Sequence, residues 1–435
     1  MMTFEEARTY ISQVSRTGSI LGLKSIRALM AELSDVWETL PIIHIAGTNG
    51  KGSVGAYLCS IFREAGLHVG RYCSPAVFDP LEVWQYDGCN MTRNEYAEVM
   101  SQVKDACDIV VSKGGEYPTV FEVETAAAFV YFYRKKPDVV LLETGMGGST
   151  DATNLITHPL ASVLTTISMD HMQFLGGTLE AIATVKSGII KEGCPVFSAV
   201  QKPEAAHVIR HVAEKKHAAL YEVKEEEESV ISQEPGCLVF SYEGETYTTS
   251  MAGSCQKENA SLAISTARTL LPGLCPALAR QKDAGASLIK RGIEACCWPG
   301  RFEVLCKDPF IAIDGAHNED AARQLCDTVE NCFTNVPITY IIGVLADKEH
   351  EKMLKLMLPH AAAVYTITPD NARAMDGALL AEEARRYHKD VTYCKTIKEA
   401  VEKALGEKRP VLAFGSLSYL GQLKQEVQEW LIKQR

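Results

Sequence analysis

Three glycines, a lysine and a serine crowd into Gly47–Ser53, within the segment PIIHIAGTNGKGS. Glycines let backbone N–H groups turn inward around phosphate oxygens, and a following helix N-terminus adds positive potential. In such a loop Asn49, Gly50, Lys51, Gly52 and Ser53 bind the nucleotide. Lys51 reaches the terminal phosphates and the Ser53 hydroxyl ligates Mg²⁺. The chemistry implied is the spending of a nucleoside triphosphate. The spacing departs from the common G-x-x-x-x-G-K-[ST] pattern. Only Thr48 and Asn49 separate Gly47 from Gly50, and Gly52 stands between Lys51 and Ser53. A tight turn with no ligand is the plainer reading, but the flanks favour the phosphate loop. The β-branched-rich run Ile42–Ile45 precedes it, and the helix-compatible stretch Val54–Arg63 follows.

Other reactive groups stand at the ends of apolar runs. Glu143 closes VVLLE and opens LETGMGGSTDATN. A carboxylate at the carboxyl end of a parallel strand lies where doubly wound sheets bind ligands. It suits a Mg²⁺ site, or a solvated acid in a glycine-rich turn. Asp151 and Asn154 fit an Asx turn or a helix cap equally. His171, in ISMDHMQFLG, could converge with Glu143 and Ser53, or be a structural histidine. Lys186, in IATVKSGIIKEG, lies on an apolar helical stretch. A half-buried lysine has a lowered pKa and can be covalently modified; the alternative is a side chain that snorkels to water. Asp314 and His317, in FIAIDGAHN, repeat the arrangement of strand, glycine turn and helix start. A carboxylate there can bind a ribose, and Asn318 suits a helix N-cap. Arg301 either reaches a phosphate or lies on the surface.

The elements that must position these groups alternate along the chain. Val139–Glu143, Ser162–Ile167 and Pro195–Val200 read as buried parallel strands. Thr178–Lys191 reads as a helix between the last two, and an amphipathic helix also fits Thr92–Ser112 ahead of them. This alternation predicts βαβ units around a mostly parallel, doubly wound sheet. Residues 217–253 alternate in polarity and are broken by Pro-Gly and Glu-Gly. They predict antiparallel hairpins at an edge of the first domain, and Glu258–Leu271 then reads as a helix. CCWPGR (296–301) interrupts the pattern, so the boundary is placed there. The expected domains are a phosphate-loop α/β domain over 1–297 and a smaller Rossmann-like α/β domain over 298–435.

The length of 435 residues allows about two to three domains. The net charge of −11 argues against general nucleic-acid or acidic-membrane binding. No apolar run approaches the ~20 residues of a membrane span, and the N-terminus lacks a signal pattern. A soluble, cytoplasmic protein is expected. The 14 cysteines form no C-x-x-C pair, which disfavours a zinc ribbon or a thioredoxin-type motif.

Eight ordered segments resemble the folylpolyglutamate synthase and dihydrofolate synthase family, within the wider Mur-ligase superfamily. They are HIAGTNGKGS (44–53), RYCSP (71–75), PTVFEVETAAAF (118–129), LLETGMGGSTDATN (141–154), MDHMQFLGGTLEAIATVKSGIIK (169–191), WPGRFE (298–303), IDGAHN (313–318) and GVLADKE (343–349). The resemblance implies an ATP-dependent amide ligase. ATP phosphorylates a substrate carboxylate, and the amino group of L-glutamate attacks the acyl phosphate. The substrates implied are dihydropteroate, or reduced folates lengthened at the γ-carboxylate.

Carried over, Ser53, Glu143, His171 and Lys186 resemble ligands of two Mg²⁺ ions, with Lys186 carbamylated; K⁺ is a further candidate cation. Asn259 and Arg301 match nucleotide contacts, Asp314 the ribose contact, and His317 lies beside the phosphates. Lys51, Lys186 and His317 are the expected catalytic residues. Ser74, Phe121, Glu122 and Asp151 fall in segments lining the substrate pocket. A monomer is expected, closing its domains on ATP that bridges both. The chain departs from the family at Ala76–Val77, at Leu81 and Val83 where arginines are usual, at Cys255, and in VKSG. The alternatives are a Mur-type ligase for another carboxylate, or a non-catalytic nucleotide-binding regulator.

Overall fold

A computed structural model describes residues 1–14, 22–34, 37–278, 282–347 and 350–434. Lys348 and Glu349 of the GVLADKE segment lie outside the described residues. The chain divides into two compact units. One comprises Met1–Ala76, Pro80–Glu226 and Glu258–Ile293; the other comprises Val77–Asp79, Glu227–Lys257 and Glu294–Arg435.

The first unit is built on eight strands: β1 (Ile42–Ala46), β2 (Val69–Tyr72), β3 (Trp84–Tyr86), β4 (Cys89–Asn90), β5 (Val139–Glu143), β6 (Ala161–Leu164), β7 (Val196–Ser198) and β8 (Leu220–Glu222). Their order across the sheet is β4-β3-β2-β5-β1-β6-β7-β8. From β2 to β8 all pairings are parallel. β3 and β4 add an antiparallel edge. Every residue of β1 and β5 is buried, as the continuous apolar runs require of strands covered on both faces. β1 sits where the winding reverses: the chain next forms β2 on one side, and β6 lies on the other. A ligand site in such sheets belongs at the carboxyl ends of the strands at that reversal, which is where Gly47–Ser53 begins.

The antiparallel strands expected over 217–253 form, but elsewhere than expected. β9 (Glu228–Glu234), β10 (Cys237–Tyr242) and β11 (Glu245–Thr249) make a separate three-stranded sheet. They belong with the second unit, not with the edge of the first. β10 alternates in burial along its length, the pattern of a sheet with one covered face. Part of its cover is the helix Glu319–Cys332: Thr328 Oγ1 accepts from Ser254 N at 2.8 Å, and Asn331 Nδ2 donates to Gln233 at 3.0 Å.

The second unit's main sheet contains β12 (Glu303–Lys307), β13 (Phe310–Ile313), β14 (Ile338–Ile342), β15 (Ala361–Thr366), β16 (Val391–Tyr393) and β17 (Val411–Phe414). The order is β12-β13-β17-β14-β15-β16, parallel except for β12. Both units therefore have the doubly wound α/β character that the alternating pattern predicts.

Candidate active site

Gly47–Ser53 joins β1 to the helix Lys51–Glu64, with Gly50 at its N-cap. Gly50 has φ of +88°, and a Cβ there would lie 2.2 Å from Asn259 Oδ1. Only glycine supplies both that backbone and that clearance. The same measurement brings Asn259, on the helix Gln256–Leu274, directly against the loop.

The loop is tied to the segment after β6. Thr48 N and Asn49 N donate to the Thr166 carbonyl at 2.9 and 3.3 Å. Thr165 Oγ1 donates to the Asn49 carbonyl at 2.6 Å, and Thr48 Oγ1 accepts from Ser168 N at 3.1 Å. Ser53 is buried in the first helical turn.

Two lysines meet at this loop. Lys51 Nζ lies 3.2 Å from the Gly47 carbonyl oxygen and 4.0 Å from Glu143. Lys186 Nζ donates to the same Gly47 carbonyl at 2.7 Å. Lys186 is buried at 4% exposure, so the snorkelling alternative does not describe it. Burial, and then the positive charge of Lys51, lower its pKa to about 7.

Close backbone packing holds Lys186 there. A Cβ on Gly148 would fall 2.5 Å from the Val185 carbonyl oxygen and 2.8 Å from Lys186 Cα. The loop after Glu143 can lie on the lysine helix only because Gly148 has no side chain. Asn154 Nδ2 adds hydrogen bonds to the carbonyls of Ser149 and Gly188, each 3.2 Å.

Glu143 is buried at the end of β5 and is in register with Ile45 on β1. His171 is different: it is exposed, at φ of +51°, with Nε2 3.8 Å from Asp170 Oδ2. Asp151 caps the short 3₁₀ turn Ala152–Leu155 and is fully engaged within the protein. Its Oδ1 accepts from Thr153 N and Oγ1 at 3.0 and 2.6 Å, and its Oδ2 accepts from Met146 N at 2.8 Å. Glu122 completes a capping box with Thr119 and also accepts from Ile26 N at 3.1 Å. Phe121 packs 6.3 Å from Tyr72, and Ser74 is half-buried.

In the second unit, Asp314 follows β13. Its two oxygens accept from Phe302 N and Ala316 N, both at 2.8 Å. Burial raises its pKa and the neighbouring Arg301 opposes that shift. His317 Nδ1 lies 2.8 Å from the Gly315 carbonyl. A carbonyl only accepts, so Nδ1 carries the proton. Asn318 is the N-cap of Glu319–Cys332, as its position suggests.

The family description "Mur ligase middle domain" matches residues 45–267, and "Mur ligase, glutamate ligase domain" matches 300–417. The Bacillus subtilis dihydrofolate synthase/folylpolyglutamate synthase is 33% identical over 433 residues, covering 98% of this chain and 99% of that protein. The chain belongs to the folylpolyglutamate synthase/dihydrofolate synthase family. A structure of the Mycobacterium tuberculosis folylpolyglutamate synthase complexed with ADP and AMPPCP superposes with a TM-score of 0.85 at 26% identity, over 98% of each chain. E. coli FolC in complex with DHPP and ADP gives 0.81 at 25% identity, over 99% of this chain and 98% of that one. As a member of this family the chain is an ATP-dependent ligase.

Leu81 and Val83, where the resemblance led to an expectation of arginines, both pack into the core with Tyr72 and Trp84. Two further residues were not singled out from sequence. Arg71, buried in β2, donates from Nη2 to the Gly52 carbonyl at 2.6 Å, which supports the phosphate loop from behind. An arginine inside the otherwise apolar-lined VGRY strand was the available signal.

The other is Glu124, one helical turn after Phe121. Its carboxylate has no protein hydrogen-bond partner among the described residues, and burial raises its pKa to about 7. The signal was a second acid, beyond the capping-box Glu122, in a helix buried almost all round. Between the ordinary value of 4.5 and about 7, the folded state retains a proton that the unfolded chain releases, so stability falls as pH rises through that window. Glu124→Gln should match the wild type in unfolding free energy near pH ~4 and exceed it by on the order of 2 kcal/mol at pH ~8. A pH-independent difference in denaturant unfolding would refute the assignment.

Proposed function

We propose that this chain joins L-glutamate to a folate-type carboxylate, forming dihydrofolate from dihydropteroate, lengthening reduced folates at the γ-carboxylate, or both. The observation that carries this reading is the pairing of Lys51 and Lys186 on one carbonyl of a glycine-rich loop, with Glu143 4.0 Å from Lys51. Phosphoryl transfer between anions needs a positioned cation, here Lys51, and inward-facing backbone amides, with Lys186 held against the same loop. The complexes of the relatives with ADP, AMPPCP and DHPP support the same assignment of substrates.

An acceptor carboxylate oxygen attacks the γ-phosphorus of ATP and ADP leaves, giving an acyl phosphate. The glutamate amine then attacks the acyl carbon, loses a proton, and phosphate departs. Lys51 and the loop amides stabilise charge on the transferred group. Asn259, Arg301 and Asp314 bind the nucleotide, and His317 acts beside the phosphates. Ser74 and Phe121 line the pterin side, while Glu122 and Asp151 hold the segments around it.

Two Mg²⁺ ions fit the donors present: the Ser53 hydroxyl and the Glu143 carboxylate are hard oxygen ligands of the type that Mg²⁺ takes. His171 and a carbamate on Lys186 complete the assigned set, and K⁺ is assigned as an accessory cation. When bound, Mg²⁺ neutralises phosphate charge. The carbamate is favoured by the site itself. Adding CO₂ to neutral Lys186 forms an N–C bond and releases one proton, replaces an uncharged amine with an anion, and leaves one N–H for the Gly47 carbonyl.

Among the described residues no helix is long and apolar enough to cross a membrane. We assign the protein to the cytoplasm as a monomer acting on small molecules, with no nucleic-acid partner.

The test is ADP formation with ATP, Mg²⁺ and L-glutamate, with dihydropteroate, a reduced folate monoglutamate, or no acceptor. Turnover with both acceptors establishes a bifunctional enzyme and turnover with one assigns a single activity. No rate above the acceptor-free control would move the reading to a Mur-type ligase for another carboxylate.

A further inference from the structure

The helix Glu319–Cys332 carries Cys326 and Glu330 one turn apart, and His360 ends the 3₁₀ turn Leu358–His360 beside it. Cys326 Sγ lies 3.3 Å from His360 Nε2 and 3.9 Å from Glu330 Oε1. His360 Nε2 lies 3.4 Å from Glu330 Oε1. Among the described residues this is the one group of three His, Cys, Asp or Glu ligand atoms that all lie within 4.8 Å of one another. None of the three belongs to the ligase site described above.

The arrangement separates two kinds of chemistry. A Cys-His-Glu relay needs the thiol at one ring nitrogen and the carboxylate at the other. Here both approach Nε2, so the three donor atoms face one point rather than forming a chain through the ring. Four-coordinate zinc has Zn–S of about 2.3 Å and Zn–N and Zn–O of about 2.0–2.2 Å. At tetrahedral angles those lengths place S and N about 3.6 Å apart, N and O about 3.3 Å, and S and O about 3.5 Å. The three observed separations agree with this triangle to within about 0.4 Å.

We propose that Cys326, Glu330 and His360 form a binding site for a divalent transition cation of borderline softness, with zinc as its best fit. The ligand set of one sulfur, one imidazole nitrogen and one carboxylate oxygen is of the type that zinc takes, and it disfavours Mg²⁺ and Ca²⁺, which want oxygen alone. Water completes the fourth position. The cation staples the helix Glu319–Cys332 to the turn that leads into β15. That helix starts directly after Asp314–Asn318, so the staple steadies the element on which the proposed nucleotide-binding turn is built.

The test uses the full-length protein, freed of metal with a chelator and titrated with Co²⁺ and then Zn²⁺. Co²⁺ should produce a thiolate charge-transfer band with intense tetrahedral ligand-field bands, which Zn²⁺ abolishes by displacement. Zn²⁺ should also raise Tm. Cys326→Ser and His360→Gln should each weaken binding on the order of 100-fold or more, while Cys332→Ser retains it. His360 is the more exposed position, so His360→Gln decides the matter if Cys326→Ser fails to fold. No tetrahedral Co²⁺ spectrum in the wild type, or an unchanged spectrum and Zn²⁺ affinity in His360→Gln, would overturn the site and leave an ordinary hydrogen-bonded cluster.

Discussion

Lys51→Ala is expected to lower ATP-dependent glutamate ligation by at least on the order of a thousandfold, chiefly in kcat. Lys51 opens the helix after the loop, and its Nζ already lies 3.2 Å from the Gly47 carbonyl and 3.4 Å from that of Thr48. The ammonium is thus oriented before any ligand arrives. Its charge acts where negative charge shifts during phosphoryl transfer, so the loss should fall on the chemical step. Lys51 is partly buried and lies 4.0 Å from Glu143, so its removal also changes the charge beside that carboxylate. Denaturant unfolding of the variant separates a collapsed loop from a lost catalytic charge. A variant that stays folded and turns over within about tenfold of the wild type would contradict the phosphate-loop assignment.

Lys186→Ala should be nearly as damaging, but with a distinctive response to added anions. Lys186 is buried, donates to the Gly47 carbonyl at 2.7 Å, and has its pKa lowered to about 7 by burial and by Lys51. An amine of that pKa is neutral above about pH 7, and only the neutral amine takes up CO₂. At fixed CO₂, carbamate formation and activity should therefore rise as pH increases through that value. If the carbamate is the working form, acetate or formate should restore part of the lost rate in Lys186→Ala by replacing the missing anion. Neither should affect Lys51→Ala, which lacks a cation. Rescue of both variants, or of neither, would count against the carbamate. Electron density ending at Nζ in a substrate-bound crystal would do the same.

These residues were unequally legible in the sequence. Gly50 and Lys51 announce themselves because a phosphate loop needs residue types that few other turns need. The parallel strands were visible as continuous apolar runs, since burial on both faces leaves no polar alternation to confuse with a helix. Their ends were less so: Ser162–Ile167 shortens to Ala161–Leu164, for although Thr165 N still donates to the Ala46 carbonyl, the Thr165 hydroxyl and the Thr166 carbonyl turn to the loop.

Lys186 could be seen on an apolar helix, but its partner, the Gly47 carbonyl, lies 139 residues away in the chain. No local pattern encodes that pairing. The same limit misplaced β9–β11. Their alternation is local and was read correctly, whereas the unit that covers them is chosen by contacts with Thr328 and Asn331.

Glu122 shows a signal of the opposite kind. Thr119 and Glu122 have the spacing of a capping box, and the structure gives the carboxylate that local work. Asp151, open between turn and cap, resolves as a cap because Thr153 N and Oγ1 both reach Oδ1.

On the proposed mechanism ATP is spent on the acceptor's carboxylate. This is tested by supplying an acceptor labelled with oxygen-18 in both carboxylate oxygens, together with ATP, Mg²⁺ and L-glutamate, and analysing the released phosphate by mass. One labelled oxygen is expected in the phosphate and one retained in the new amide for each ADP formed. Phosphate released without label, at a rate matching amide formation, would contradict activation through an acyl phosphate.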